Sequence, residues 1–192
     1  MAHARHHRLT FDDYLQIEED SGTKHEFMQG QVFAMSGGTP AHARITMNVG
    51  GLLRDALSGK PRGVFSPDLR VRVLATGLGT YADLTVICGP IELDPADKKG
   101  HTALNPRVLV EVLSPSTEDY DRGDKLGSYK QIPSLAEVVL VSHDRREVEI
   151  VRRESDGSWS RHIARDGESA KLVSLGCELP VADVYADPLP PP

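Results

Sequence analysis

The sequence predicts one α/β domain, a mixed central β-sheet flanked by helices, with an N-terminal helix and hairpin in front. Three observations lead there. A chain of 192 residues suits a single domain. Apolar residues recur at helical spacing in some stretches and with period two in others. The two kinds of stretch alternate along the chain, which favours helices layered on a sheet. The domain is expected over residues 10–186, after a flexible segment 1–9 and before a Pro-rich tail 187–192. His3, His6 and His7 fall in that first segment and read as part of a frayed terminus rather than a metal site.

Thr10 is a natural N-cap with Asp13 three positions on, so a short helix should run to about Glu19 and end at Ser21-Gly22. Phe27 to Met35 reads as a hairpin turning at Gln29-Gly30. From Ala41 to about Leu57 the spacing of Ile45, Val49, Leu52, Leu53 and Ala56 predicts a second helix. Val64-Phe65 and Leu69–Leu74 read as strands, the latter half-buried. Gly77 and Gly79 should turn the chain into a further strand, Tyr81–Cys88. A charged loop, Gly89 to Asn105, precedes Arg107–Leu113, whose nearly continuous apolar run marks a buried central strand. Asp121 to about Ile132 is expected to be helical, with Pro133 stopping it. Strands near Glu137–Ser142, Glu147–Arg153 and Trp159–Ala164 follow, the last two joined at Ser155-Asp156-Gly157.

Composition removes several classes of function. Lys and Arg number 22 against 28 Asp and Glu, a net charge of −6, which argues against a constitutive, tightly held nucleic-acid binder. No run approaches the ~18 apolar residues of a membrane span and no signal peptide opens the chain, so a cytoplasmic protein with no membrane partner is expected. Cys88 and Cys177 lack metal-ligand spacing and fit a reducing compartment. Gly37-Gly38-Thr39 lacks the residues of a phosphate-cradling loop, and Gly-x-Ser-x-Gly is absent.

The chemistry concentrates on two carboxylates. Glu111 sits between Val110 and Val112 in the most apolar strand, where an ionised carboxylate is costly unless paired or bound to a cation. Asp83 poses the same question one strand earlier. Were the two strands neighbours, with the carboxylates ~5 Å apart, their repulsion at an effective dielectric of ~20 would be roughly 3 kcal/mol. A counter-charge or a shared proton would then be required. A divalent cation with oxygen ligands meets that demand.

These residues stand in recognisable wording. Val110-Glu111-Val112-Leu113-Ser114-Pro115-Ser116-Thr117, then Tyr120-Asp121-Arg122-Gly123-Asp124-Lys125-Leu126, Tyr129 and Ile132-Pro133-Ser134, resembles the Uma-family restriction endonucleases of the PD-(D/E)xK superfamily. Glu26–Val32, Met35-Ser36-Gly37 and His42 fit as well, so the resemblance runs from about Thr10 to Val141. It implies a restriction-endonuclease-like fold acting on DNA as an endonuclease, with Mg²⁺ (Mn²⁺ as substitute) held by Asp83 and Glu111. Lys125 would be the catalytic cation, and Glu26, Tyr129 and His42 would support the site. A homodimer is implied by the fold. The sequence departs from the superfamily pattern twice: Ala82 replaces the proline before the motif aspartate, and Leu113 occupies the usual lysine position. Lys125, sharing a helical face with Tyr129 and Ile132, is the residue expected to take over that role. Pro67-Asp68 is a literal Pro-Asp but not the expected site aspartate. The rival reading is a catalytically inactive nuclease-fold domain that binds DNA or protein; an RNA or small-molecule phosphodiesterase is a third. Lys60, Arg62, Arg70, Arg72, Arg145 and Arg146 are the scattered cations that could track a phosphate backbone.

Overall fold

The computed structural model describes residues 8–35 and 37–187. The expected flexible start through residue 7, Ser36 and the Pro-rich tail from residue 188 lie outside the described residues. Helix α1 (Phe11–Asp20) begins with the expected reciprocal cap: the Asp13 amide donates to Thr10 Oγ1 at 3.1 Å and the Thr10 amide to the Asp13 carboxylate at 2.8 Å. It buries Phe11 and Tyr14 against Phe27 of strand β1 (His25–Met28). Strand β2 (Gln31–Ala34) returns through a two-residue turn in which Gln29 (φ 52°) and Gly30 (φ 83°) are both left-handed, the geometry that follows strand twist. Helix α2 (Pro40–Ala56) starts at the Thr39 cap, with proline in its first turn where no amide donor is missed. Its apolar stripe buries Ile45, Val49 and Leu53.

Two sheets follow. One consists of β3 (Arg62–Phe65), β6 (Leu84–Cys88), β8 (Val108–Val112), β9 (Glu137–Val141), β10 (Glu147–Arg153) and β11 (Trp159–Arg165), in the order β11-β10-β9-β8-β6-β3. Only the β8–β9 pair in it is parallel. The other has the order β2-β1-β5-β4-β7, with β4 (Arg70–Val73), β5 (Leu78–Thr80) and β7 (Thr102–Ala103). The crossover between β8 and β9 carries a short α3 (Glu118–Tyr120), a turn over Asp121–Lys125 kinked at Gly123, and α4 (Leu126–Tyr129). A C-terminal hairpin, β12 (Ser169–Leu172) with β13 (Cys177–Pro180), leads to α5 (Val181–Val184).

Period-two alternation in β8 sorts the core. Val108, Val110 and Val112 face α2 and the C-terminal hairpin, while Leu109 and Leu113 face α4 and the smaller sheet. Each such fully buried side chain contributes about 1.5–3 kcal/mol of transfer free energy, so β8 is clamped from both sides. Glu111 shares the parity of Leu109 and Leu113 and so points toward α4.

Three expectations are corrected. The strand expected over Tyr81–Cys88 is divided: the chain leaves the smaller sheet at Thr80 and enters the larger one at Leu84, so Tyr81, Ala82 and Asp83 bridge the sheets. Gly79 accordingly lies inside β5 and not in a turn. The helix expected over Asp121–Ile132 is broken at Gly123 (φ −99°, ψ −105°) and its α-helical end falls at Tyr129. Arg70 and Arg72 track no phosphate. Arg70 is buried 3.6 Å from Glu18 and 3.4 Å from Asp97, and Arg72 pairs with Asp94 at 2.7 Å. These pairs pin the charged loop Gly89–Asn105 onto β4, which is why part of it forms β7.

Candidate active site

The crossover after β8, the β1–β2 hairpin and the start of α2 enclose a cleft of about 650 Å³, with Glu26, His42, Asp83, Glu111, Asp121 and Lys125 on its lining. Lys125 lies at its floor. Its ammonium is 3.0 Å from Glu26 Oε1, 3.1 Å from Glu111 Oε1 and 3.4 Å from Asp121 Oδ1, and its side chain is 5% exposed. The turn kinked at Gly123 holds Asp121 and Lys125 close to one another, with the ammonium beside Glu111 of β8. Lys130 faces elsewhere, over the Trp159 ring.

Tyr129 donates a 2.6 Å hydrogen bond to Glu111 Oε1, so one carboxylate oxygen receives both the phenol and the ammonium. Burial pushes the Glu111 carboxyl up to about 8; Lys125 pulls against that shift, and the charges of Asp83 and Asp121 add to it. Asp121 is raised for the same first reason, burial, again opposed by Lys125. Burial alone would lower the Lys125 ammonium, yet the surrounding negative charge, Glu111 foremost, carries it well above the ordinary lysine value. It stays charged across the neutral range.

Asp83 sits just before β6, whose Leu84 pairs with Val110, so the aspartate lies at the level of Glu111 on the neighbouring strand. Its Oδ2 accepts the Val112 amide at 2.7 Å and lies 3.2 Å from His42 Nε2. The hydrogen bond to Asp83 raises the His42 pKa, with burial opposing it. The His42 ring lies against Gly38, where a Cβ would stand 2.8 Å from its Nδ1. Glu26 is buried on β1, where Thr80 of β5 also donates to it. All six residues singled out from the sequence therefore meet around this cleft, Tyr129 through its bond to Glu111. Asp68 does not: it is exposed and paired with Lys24.

Three neighbours of these residues were not singled out from the sequence. Asp121 reads in sequence only as a surface partner for a helix lysine. Thr80 gives no signal at all. His143 lines the cleft from just beyond the end of β9, and its position after a strand parallel to β8 was the available sign, since ligands gather at the carboxyl ends of such strands. Among the described residues, no three His, Cys, Asp or Glu side chains group tightly enough to hold a metal by themselves. The site offers instead two hard-oxygen carboxylates, Asp83 and Glu111, beside excess negative charge. Mg²⁺ is typically held by one or two carboxylates, with waters and substrate phosphate completing the shell, so the donor set fits it.

Fold and site together define a nuclease-like α/β domain. A crystal structure from Anabaena variabilis, described as a putative nuclease belonging to DUF820, superposes with a TM-score of 0.73 at 16% identity, covering 92% of this chain and 97% of that one. The chain belongs to the Uma2 family, described as putative restriction endonucleases, whose model matches residues 11–182. Two uncharacterised Synechocystis proteins are similar over most of their length. One, slr1290, is 34% identical over 93% of this chain and 92% of its own. The other, sll1609, is 31% identical over 79% and 84%. Among the described residues no helix is long and apolar enough to cross a membrane.

Proposed function

We propose that the protein is a metal-dependent endonuclease hydrolysing phosphodiester bonds in DNA. The observation that carries this reading is the buried Lys125 ammonium, held by Glu26, Glu111 and Asp121 at the floor of a cleft whose wall carries Asp83. Asp83 and Glu111 would hold Mg²⁺, with Mn²⁺ able to replace it. When bound there, the ion would supply Lewis acidity to the scissile phosphate and to an attacking water. Lys125 supplies a fixed positive charge where negative charge develops on the phosphoryl oxygens, and its high proton affinity makes it an electrostatic group rather than a proton donor. Tyr129 holds Glu111 in one orientation, His42 and the Val112 amide do the same for Asp83, and Glu26 fixes the ammonium. These are positioning roles.

The test is nicking of supercoiled plasmid with Mg²⁺, beside calorimetric titration with Mn²⁺. Wild type should nick, and Glu111→Ala and Lys125→Ala should be reduced by orders of magnitude. Mn²⁺ binding should survive in Lys125→Ala and disappear in Asp83→Ala. A wild type that neither nicks nor binds Mn²⁺ is instead an inactive nuclease-fold interaction domain, and the proposal fails.

A further inference from the structure

The hairpin wall of the cleft is apolar where a groove that follows a phosphate backbone is cationic. In the β1–β2 register Glu26 lies directly opposite Phe33, so both stand on one face, together with Met28 and Met35. Phe27 and Val32 point the other way, onto α1. A hairpin with one buried face ordinarily makes the other polar. Here that other face carries Glu26 and Gln31 but also presents Met28, Phe33 and Met35 to the cleft, and Phe33 is left 46% exposed beside the Lys125 cluster.

Charge and size point the same way. Lys125 is the only Lys or Arg among the described residues lining the cleft, and it is already engaged by three carboxylates. Duplex DNA carries a charge about every 1.7 Å and draws its binding free energy largely from cations along its length. A cleft of about 650 Å³ is the size that encloses one small ligand. The ammonium a phosphate must reach is at the floor, with the apolar hairpin face on one side and Asp83, Asp121 and Ser114 also lining the cleft. An unpaired nucleotide can reach that ammonium without carrying a partner strand into the cleft, laying its base on an aromatic wall as single-strand sites do.

We infer that the cleft takes single-stranded DNA, one unpaired base stacking on Phe33 between Met28 and Met35 while the adjoining phosphate reaches Lys125. This rests on the nuclease reading and deepens it. The experiment is fluorescence anisotropy with a labelled 12-nucleotide single strand, the same strand in a duplex, and an abasic strand of equal length, in EDTA and again in Ca²⁺. The single strand should bind at least tenfold more tightly than the duplex, with a shallow salt dependence. Removing the bases, or Phe33→Ala, should each weaken it by roughly 5- to 140-fold, the ratio equivalent to the ~1–3 kcal/mol of one base–aromatic stack. Phe33→Tyr should retain binding, and an unchanged melting temperature in Phe33→Ala should confirm that the exposed ring is not needed for folding. Duplex bound as tightly as single strand, or Phe33→Ala without effect, overturns the inference. Plasmid nicking with duplex preference would leave the nuclease reading standing while this one falls. No binding to any strand together with no nicking would bring down both.

Discussion

Glu111→Gln should abolish nicking and yet leave the fold as stable as wild type, or more so, at alkaline pH. The substitution keeps the shape and an acceptor for Tyr129 while removing a charge from a site that is 4% exposed. Burial pushes the carboxyl from 4.5 to about 8. At about 1.4 kcal/mol per unit, keeping Glu111 ionised costs the metal-free protein on the order of 5 kcal/mol. The sign follows from proton uptake. With the folded pKa above the unfolded one, the folded state holds the extra proton between the two values, so this stabilisation is complete below about 4.5 and lost as pH rises through about 8. His42, also raised, slopes in the same direction, but it is present in both proteins and drops out of their difference. The variant also takes a partner from Lys125, which offsets part of the gain, so a relative shift of a few kcal/mol between pH 5 and pH 9 is the expected result. Urea unfolding in EDTA at pH 5, 7 and 9 reads it directly. A wild-type-minus-variant difference that does not change with pH would refute the reasoning. Saturating Mg²⁺ should then restore wild-type stability alone, by about 2.7 kcal/mol at a hundred times Kd.

The remaining predictions divide the site from its surroundings. Lys125→Met should lower stability by about 3–5 kcal/mol in urea at pH 7, because it leaves Glu26, Glu111 and Asp121 without their buried cation. Lys130→Ala, whose ammonium lies 5.8 Å from the centroid of the Trp159 ring, should leave nicking unchanged and stability nearly so. Asp83→Asn should remove the heat of Mn²⁺ binding, whereas Asp68→Asn, with a side chain 81% exposed, should not. Thr10→Ala should lower stability by about 1 kcal/mol through loss of the α1 cap, visible as a lower melting temperature with activity intact.

Local chemistry made most of the fold readable. The Thr10–Asp13 cap, the Gln29-Gly30 turn and the Ile45–Val49–Leu53 stripe each specify their element from within a few residues, and each element forms as expected. What failed was set by distant partners. Residues 81–83 have strand-like composition, but the bridge between two sheets takes them out of any ladder. Part of the charged loop Gly89–Asn105 is held onto β4 because Arg70 and Arg72, which tie Asp97 and Asp94 down, come from a strand over twenty residues earlier. The C-terminal hairpin went unread although Ala170, Leu172 and Leu179 follow strand alternation and are buried. Glu111 could be read because an acidic residue in a valine-rich strand contradicts its surroundings. Asp121 could not, since an acidic residue early in a helix is ordinary.

The displaced lysine ties these strands of reasoning together. Leu113, just past the end of β8, has the same parity as Glu111 and also lines the cleft, but there it carries a fully buried apolar side chain packed with Leu109, Leu126 and Tyr129. Just past the kink at Gly123, Lys125 points toward Glu111, one turn before Tyr129, and the carboxylates of Glu26, Glu111 and Asp121 receive it. Asp121 and Lys125 stand four residues apart on either side of Gly123, and both are buried and paired rather than solvated. Gly123→Ala therefore bears on the site more than its exposed position suggests: favouring regular helix there should weaken the Lys125–Glu111 contact. The expected signature is nicking lost with little change in urea midpoint, and a Gly123→Ala variant with full activity would show that the break has no part in placing the lysine.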